Sequence, residues 1–166
     1  MTSVQPAPSP LVLQRAGGSE LDEVMEVMRT AFDPRFGEAW TRAQCAGILP
    51  MSGVRMTLAR ADGQAAGFSL VRHVADEAEL LLLAVGPELR GRGIGSALLG
   101  DFVDGGLEAG LRRLHLEVRE SNAAVSLYSR HQFIVEGRRP KYYRGTDGKF
   151  HDALTMVRTF APNSTL

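Results

Sequence analysis

The residues with the plainest chemistry lie between Val85 and Leu98. There an apolar run ends, and Arg90-Gly91-Arg92-Gly93-Ile94-Gly95-Ser96 leads into a segment of helical spacing. The first N–H groups of a helix have no partner within it, and the helix dipole leaves its N-terminus partly positive. Alternating glycines let a ligand approach those N–H groups, which suits a phosphate or pyrophosphate. Arg90 and Arg92 stand at the rim as added positive charge. Gly86 and Gly91 have the spacing of a phosphate loop of the Gly-x-x-x-x-Gly-Lys-Ser/Thr kind, but Arg92 and Gly93 occupy the places of its lysine and hydroxyl. A dinucleotide fingerprint fails as well: after Gly91 and Gly93 the third glycine is Ser96, and after Gly93 and Gly95 it is Leu98. Further along, Glu117 alternates with Leu116 and Val118, and Tyr128, Tyr142 and Tyr143 are the only tyrosines of the chain. A carboxylate and phenols are groups that move protons.

These residues need a frame. Leu11-Val12-Leu13 reads as a short edge strand. Ser19 is expected to cap a helix through Phe32, with Leu21, Val24, Met25 and Met28 at helical spacing. Asp33-Pro34-Arg35-Phe36-Gly37 breaks it, and Thr41-Arg42-Ala43-Gln44 resembles a capping box opening a second helix toward Leu49. Met56–Ala59 and Ala66–Val71 flank the turn Asp62-Gly63, a hairpin signal. Glu79–Val85 is nearly all apolar, as in a strand covered on both faces. A helix follows from Gly95 to Ala109 with Gly110 at its end. Leu114–Val118 alternates as a strand, Ser121 or Asn122 caps a helix to Arg130, and strands begin at Phe133 and Ala153. The unit from Leu80 to Val118 is strand, helix, strand, so its two strands, the fourth and fifth, are expected to be parallel. The hairpin makes the sheet mixed.

Composition bounds the rest. At 166 residues, with 44% hydrophobic and 23% charged residues, the chain reads as one ordinary globular domain. Nineteen basic residues balance nineteen acidic ones, so no net field draws it to nucleic acid or a membrane. Cys45 is the only cysteine, which excludes an internal disulfide and fits a reducing cytoplasm. The proline-bearing start, 1–10, is not a secretory signal and is expected to be a disordered tail; 11–160 form the domain and 161–166 a second tail. His73, His115, His131 and His151 show no metal-ligand spacing, so no metal is expected. Arg138 and Arg139 read as a solvated face, Cys45 as a helix packing residue, and Asp76, Glu77 and Glu79 as a solvated turn.

Arg90-Gly91-Arg92-Gly93-Ile94-Gly95 matches Arg/Gln-x-x-Gly-x-Gly and resembles the coenzyme A pyrophosphate loop of the GCN5-related N-acetyltransferase superfamily. Within it, Leu116–Ala124, Arg138-Arg139-Pro140-Lys141-Tyr142-Tyr143, Asp147-Gly148 and Asp152-Ala153-Leu154 look like the bacterial ribosomal-protein-alanine N-acetyltransferases. The likeness is strong from Glu79 to Met156 and weak over the first fifty residues. It implies a mixed α/β fold: a central, mostly antiparallel sheet with a parallel fourth and fifth strand and helices on both faces. It implies acetyl-coenzyme A as cosubstrate. Leu83, Ala84 and Val85 would pair with its pantetheine arm, Gly91 through Ser96 would hold the pyrophosphate, and Asn122 would touch the arm.

The same resemblance implies that an amine attacks the thioester directly. Glu117 would take the amine proton, Tyr128 would protonate the leaving thiolate, and Tyr142 and Tyr143 would line the acceptor channel. An α-amino group near pKa 7.7–8 is neutral to roughly a fifth at neutral pH, against under about a thousandth for lysine, so an N-terminal amine needs only a modest base. The acceptor so implied is a protein N-terminus, the alanine of a small-subunit ribosomal protein, met by a cytoplasmic monomer or weak dimer. One departure stands out: Asn122 to Tyr128 is one residue shorter than the family pattern, a rotation of about 100° on a helix. Either Ser121 takes the asparagine's place or Tyr128 is displaced. Other readings stay open: a small-molecule amine as acceptor, a non-catalytic acyl-coenzyme A sensor, a dinucleotide-binding oxidoreductase, Glu117 as a surface carboxylate, Tyr128 as a core aromatic, and Tyr142 and Tyr143 as surface aromatics of a hairpin.

Overall fold

A computed structural model describes residues 10–161; the two expected tails fall almost wholly outside them. Strand β1 (Val12–Ala16) leads through a 3-10 turn to helix α1 (Leu21–Ala31) and helix α2 (Arg42–Ile48). Then come β2 (Val54–Ala61), β3 (Gln64–Val74), β4 (Glu77–Val85), α3 (Ile94–Glu108), β5 (Arg113–Arg119), α4 (Ala124–Arg130), β6 (Ile134–Arg144) and β7 (Phe150–Thr159). The strands form one sheet in the order β1-β2-β3-β4-β5-β7-β6. Only β4 and β5 run parallel; the other neighbours are antiparallel. This is the expected mixed sheet.

Helices cover both faces. Leu21, Val24 and Met28 of α1 and Cys45 of α2 bury against Met56, Leu58, Phe68, Leu70 and Leu82. Leu99, Phe102 and Val103 of α3 and Tyr128 of α4 bury with Leu80, Leu114, Leu116, Val118 and Phe133 on the other. Each fully buried large apolar side chain contributes about 1.5–3 kcal/mol, so these two layers hold the sheet rigid beneath the site. Among the described residues, no helix is long and apolar enough to cross a membrane.

The turn signals act locally as their chemistry requires. Asp62 and Gly63 both take positive φ, 53° and 76°, and close the β2–β3 hairpin. Thr41 and Gln44 form a reciprocal capping box on α2. Ser19, however, does not cap α1. The Glu20 carboxylate reaches back to the Gly17 N–H at 2.8 Å, and Ser19 donates to that same carboxylate. That carboxylate closes the 3-10 turn Gly18–Glu20, and α1 follows it with no side-chain cap of its own.

β4 is less regular than its apolar run implies. Opposite β3, Leu70 pairs with Leu82 and Val71 with Leu80, which leaves Leu81 as an extra residue. This is a β-bulge, and bulges bend the strand that carries them. On its other side β4 pairs with β5 only as far as Leu80 and Leu116. Beyond the bulge the two parallel strands part. β5 instead stays paired with β7 through Arg119 and Ala153. A cleft between the strands thus has Leu83–Val85 of β4 on one wall and Glu117–Arg119 of β5 on the other, with no ladder bonds between them.

Candidate active site

The cleft opens toward the N-terminus of α3. Gly91 and Gly93 adopt φ of 78° and 79°, which other residues adopt only with strain. Gly93 occupies the N-cap position and supplies no side chain, so the first N–H groups of α3 lack a side-chain acceptor. A Cβ added at Gly91 or Gly93 would meet nothing within 4 Å. The mouth is therefore both donor-rich and open, which fits a diphosphate. Gly95 serves differently: a Cβ there would press on Leu127 at 3.2 Å, so its absence lets α3 lie close to α4.

Two residues of the loop are tied into the surrounding fold. The Arg90 guanidinium donates to the Ala31 carbonyl at 2.9 Å and so ties the loop to the end of α1. The Ser96 hydroxyl lies 2.8 Å from His131 Nε2. Burial, then Arg158 and Arg130, push the His131 pKa down, and the tautomer sets which of the pair donates.

On the opposite wall, Glu117 projects from β5 with its side chain 10% exposed. One oxygen lies 3.0 Å from Arg139 Nε, and the other accepts from Thr155 Oγ1 at 2.8 Å. Arg139 reaches Glu117 from a solvated face, as expected, its own side chain 61% exposed. Arg138 likewise pairs with Glu120 and Asp152. The Tyr143 hydroxyl donates to the Glu117 carbonyl at 3.1 Å. Tyr142 stands against Tyr143 edge to face, centroids 4.8 Å apart, and is 47% exposed. Tyr143 therefore packs into the wall, and Tyr142 faces outward at its rim.

Tyr128 is 6% exposed and sits edge-on to Phe133 at 6.2 Å. It is a core aromatic and also an ionisable one. Burial, aided by the Glu38 charge, drives its pKa far above the ordinary tyrosine value, so the phenol keeps its proton at any physiological pH. Burial does the same to Tyr143, with Tyr142 and Glu38 adding to it. The start of α4 settles which residue caps it. Asn122 Oδ1 accepts from the Ala124 N–H at 2.9 Å, whereas Ser121 bonds to Arg119.

Sequence reasoning missed Glu38. It lies in the segment between α1 and α2, with its side chain 9% exposed. Its Oε1 accepts from both Arg119 Nε and Asn122 Nδ2, each at 3.0 Å. Arg119 also stacks on Phe36, 3.7 Å from the ring centroid. The same segment is clasped to the β6–β7 hairpin: Thr146 N–H donates to the Pro34 carbonyl, and His151 Nε2 lies 3.2 Å from the Arg35 carbonyl. A lone glutamate in a helix connection carries no periodic signal; only the fold brings it to Asn122. Among the described residues, no group of three His, Cys, Asp or Glu gathers as a metal site.

Comparison with known proteins agrees with this geometry. A "[Ribosomal protein bS18]-alanine N-acetyltransferase" of Escherichia coli is 41% identical over 97 residues, 58% of this chain; the match spans 65% of that relative's length. A Bacillus subtilis relative, whose name gives the same activity provisionally, is 32% identical over 139 residues, covering 82% of this chain and 87% of that one. The crystal structure of the ribosomal-protein-S18-alanine N-acetyltransferase from Escherichia coli superposes with a TM-score of 0.82 at 28% identity, over 95% of this chain and 99% of that one. The profile of the acetyltransferase (GNAT) family matches residues 21–133, and with these relatives it shows that the chain belongs to the GNAT acetyltransferase family.

Proposed function

We propose that this protein transfers the acetyl group of acetyl-coenzyme A to a protein N-terminal amine, the N-terminal alanine of a small-subunit ribosomal protein. The observation that carries the reading is the β4–β5 split at the Leu81 bulge, with open glycines at one end and Glu117 on the facing wall. Past Leu80, the β4 backbone facing β5 has no strand partner. Leu83–Val85 there offer N–H and C=O groups to the amide-bearing pantetheine arm, and Gly91–Ser96 offer N–H groups to the pyrophosphate. Coenzyme A presents the acetyl group as a thioester, whose carbonyl the amine attacks.

Glu117 takes the proton the amine loses. One oxygen is held by the Thr155 hydroxyl and the other is ion-paired with Arg139, so the carboxylate is preorganised. Tyr128 keeps its phenolic proton and gives it to the departing thiolate. Such groups typically contribute about 10²–10⁴-fold each. Tyr142, Tyr143 and the clasped segment from Asp33 to Glu38 frame the acceptor side, where a chain end enters. Ribosomal acceptors are favoured because two relatives carry that activity in their names.

The test offers acetyl-coenzyme A with Ala-first, Met-first and N-blocked, lysine-bearing peptides, and with small amines. Acetylation of Ala-first peptides in preference to the rest is expected. Preference for blocked lysine peptides or for small amines would overturn the acceptor assignment. Cofactor binding without turnover on any amine would leave a sensor.

A further inference from the structure

We propose that Glu38 is a positioning residue for acetyl transfer, holding Asn122 so that α4 presents Tyr128 to the cleft. This rests on the acetyltransferase reading above. Three links carry it. Glu38 Oε1 accepts from Asn122 Nδ2 at 3.0 Å, which fixes which end of that amide faces the loop. The other end, Asn122 Oδ1, accepts from the Ala124 N–H and so seats the first turn of α4. One turn further along, Tyr128 of α4 packs edge-on to Phe133 with the charge of Glu38 close enough to act on its phenol. A seven-residue helix is too short to hold its own pose, so its anchor decides where Tyr128 stands.

Glu38 is built for such a task. Its side chain is 9% exposed, and Arg119, 11% exposed, is bonded to the same oxygen. A buried carboxylate that binds two donors through one oxygen is held in a single orientation. The carboxylate arrives on the segment clasped to the β6–β7 hairpin, so it joins the acceptor wall to the helix bearing the proposed acid.

The test compares Glu38→Gln, Glu38→Asp, Asn122→Ala and the Glu38→Asp/Asn122→Ala pair. Glutamine keeps the reach and the accepting oxygen; aspartate keeps the charge but withdraws it by one methylene. With an Ala-first peptide, Glu38→Gln is expected to keep kcat within about threefold, while Glu38→Asp loses about ten- to hundredfold with peptide KM little moved. The double variant should lose no more than the worse single one, because both act through one contact. The same proteins are titrated with acetyl-coenzyme A, where losses of affinity should be equally non-additive. Retained kcat in Glu38→Asp, or additive losses, would overturn the proposal. Should the wild type acetylate no peptide, the proposed function falls instead, and the binding cycle alone decides on Glu38.

Discussion

Glu117 and Thr155 face each other across β5 and β7 as direct register partners, and the Thr155 hydroxyl donates to the Glu117 carboxylate at 2.8 Å. Adjacent strands thus fix a carboxylate that would otherwise swing on its flexible stem. Replacing Glu117 by Gln keeps the size and the Thr155 bond but removes the basic oxygen. The expected result is a loss of about 10²–10⁴-fold in turnover with an unchanged melting temperature. Rates that match the wild type across pH would remove Glu117 from the mechanism.

Tyr128 and Tyr143 make a prediction about alkaline pH. Burial raises both pKa values above that of an unfolded tyrosine. Below about pH 10 both phenols are neutral in either state and cost nothing. As pH rises past that value the unfolded chain ionises first, so folding loses up to about 1.4 kcal/mol per unit per group until the folded pKa is passed. Thermal melts of the wild type should therefore fall steeply above pH 10, and those of Tyr128→Phe less so. At neutral pH the same variant should stay folded yet turn over more slowly; full activity would retire the acid role.

Much of this was legible in the chain. The glycine mouth, the Asp62-Gly63 hairpin and the Thr41 capping box are local chemistry, in which neighbouring residues dictate one backbone path. What was hidden depends on distant partners. An unbroken apolar stretch such as Leu80–Val85 looks the same with or without a bulge, since both faces are covered; only pairing with Leu70 and Val71 exposes Leu81 as the extra residue. β6 extends through Arg144, far beyond the strand start at Phe133, and carries Arg138, Arg139, Pro140 and Lys141 within it. It is an edge strand with register breaks between Val135 and Gly137 and between Arg139 and Tyr143, where proline and charge guard the open edge. Glu38 and Arg139 gained their roles from contacts that no spacing rule reaches.

The clasp over the acceptor side depends on two glycines. A Cβ at Gly145 would collide with the Arg35 carbonyl, and one at Gly37, where φ is 69°, with that of Arg144. Neither obstacle is a flexible side chain, so the loops must part. Overpacking of this kind costs about 1–3 kcal/mol. Gly145→Ala should raise peptide KM about tenfold or more and leave acetyl-coenzyme A affinity within about twofold. Equal weakening of both substrates would show that the clasp does not belong to the acceptor side alone.

The mouth of α3 has a matched control at its other end. Gly93 and Gly110 both take positive φ, 79° and 68°, and a Cβ at either meets nothing within 4 Å. Alanine at each therefore costs the same left-handed strain, about 1–2 kcal/mol, or a few degrees of melting temperature. Only at Gly93 does the new methyl stand beside the unpaired N–H groups. Gly93→Ala should weaken acetyl-coenzyme A binding by about tenfold or more, as a ligand loses its close approach to the helix dipole. Gly110→Ala should bind as the wild type does. Calorimetry reads both, and equal affinities in the two variants would move the pyrophosphate away from this turn.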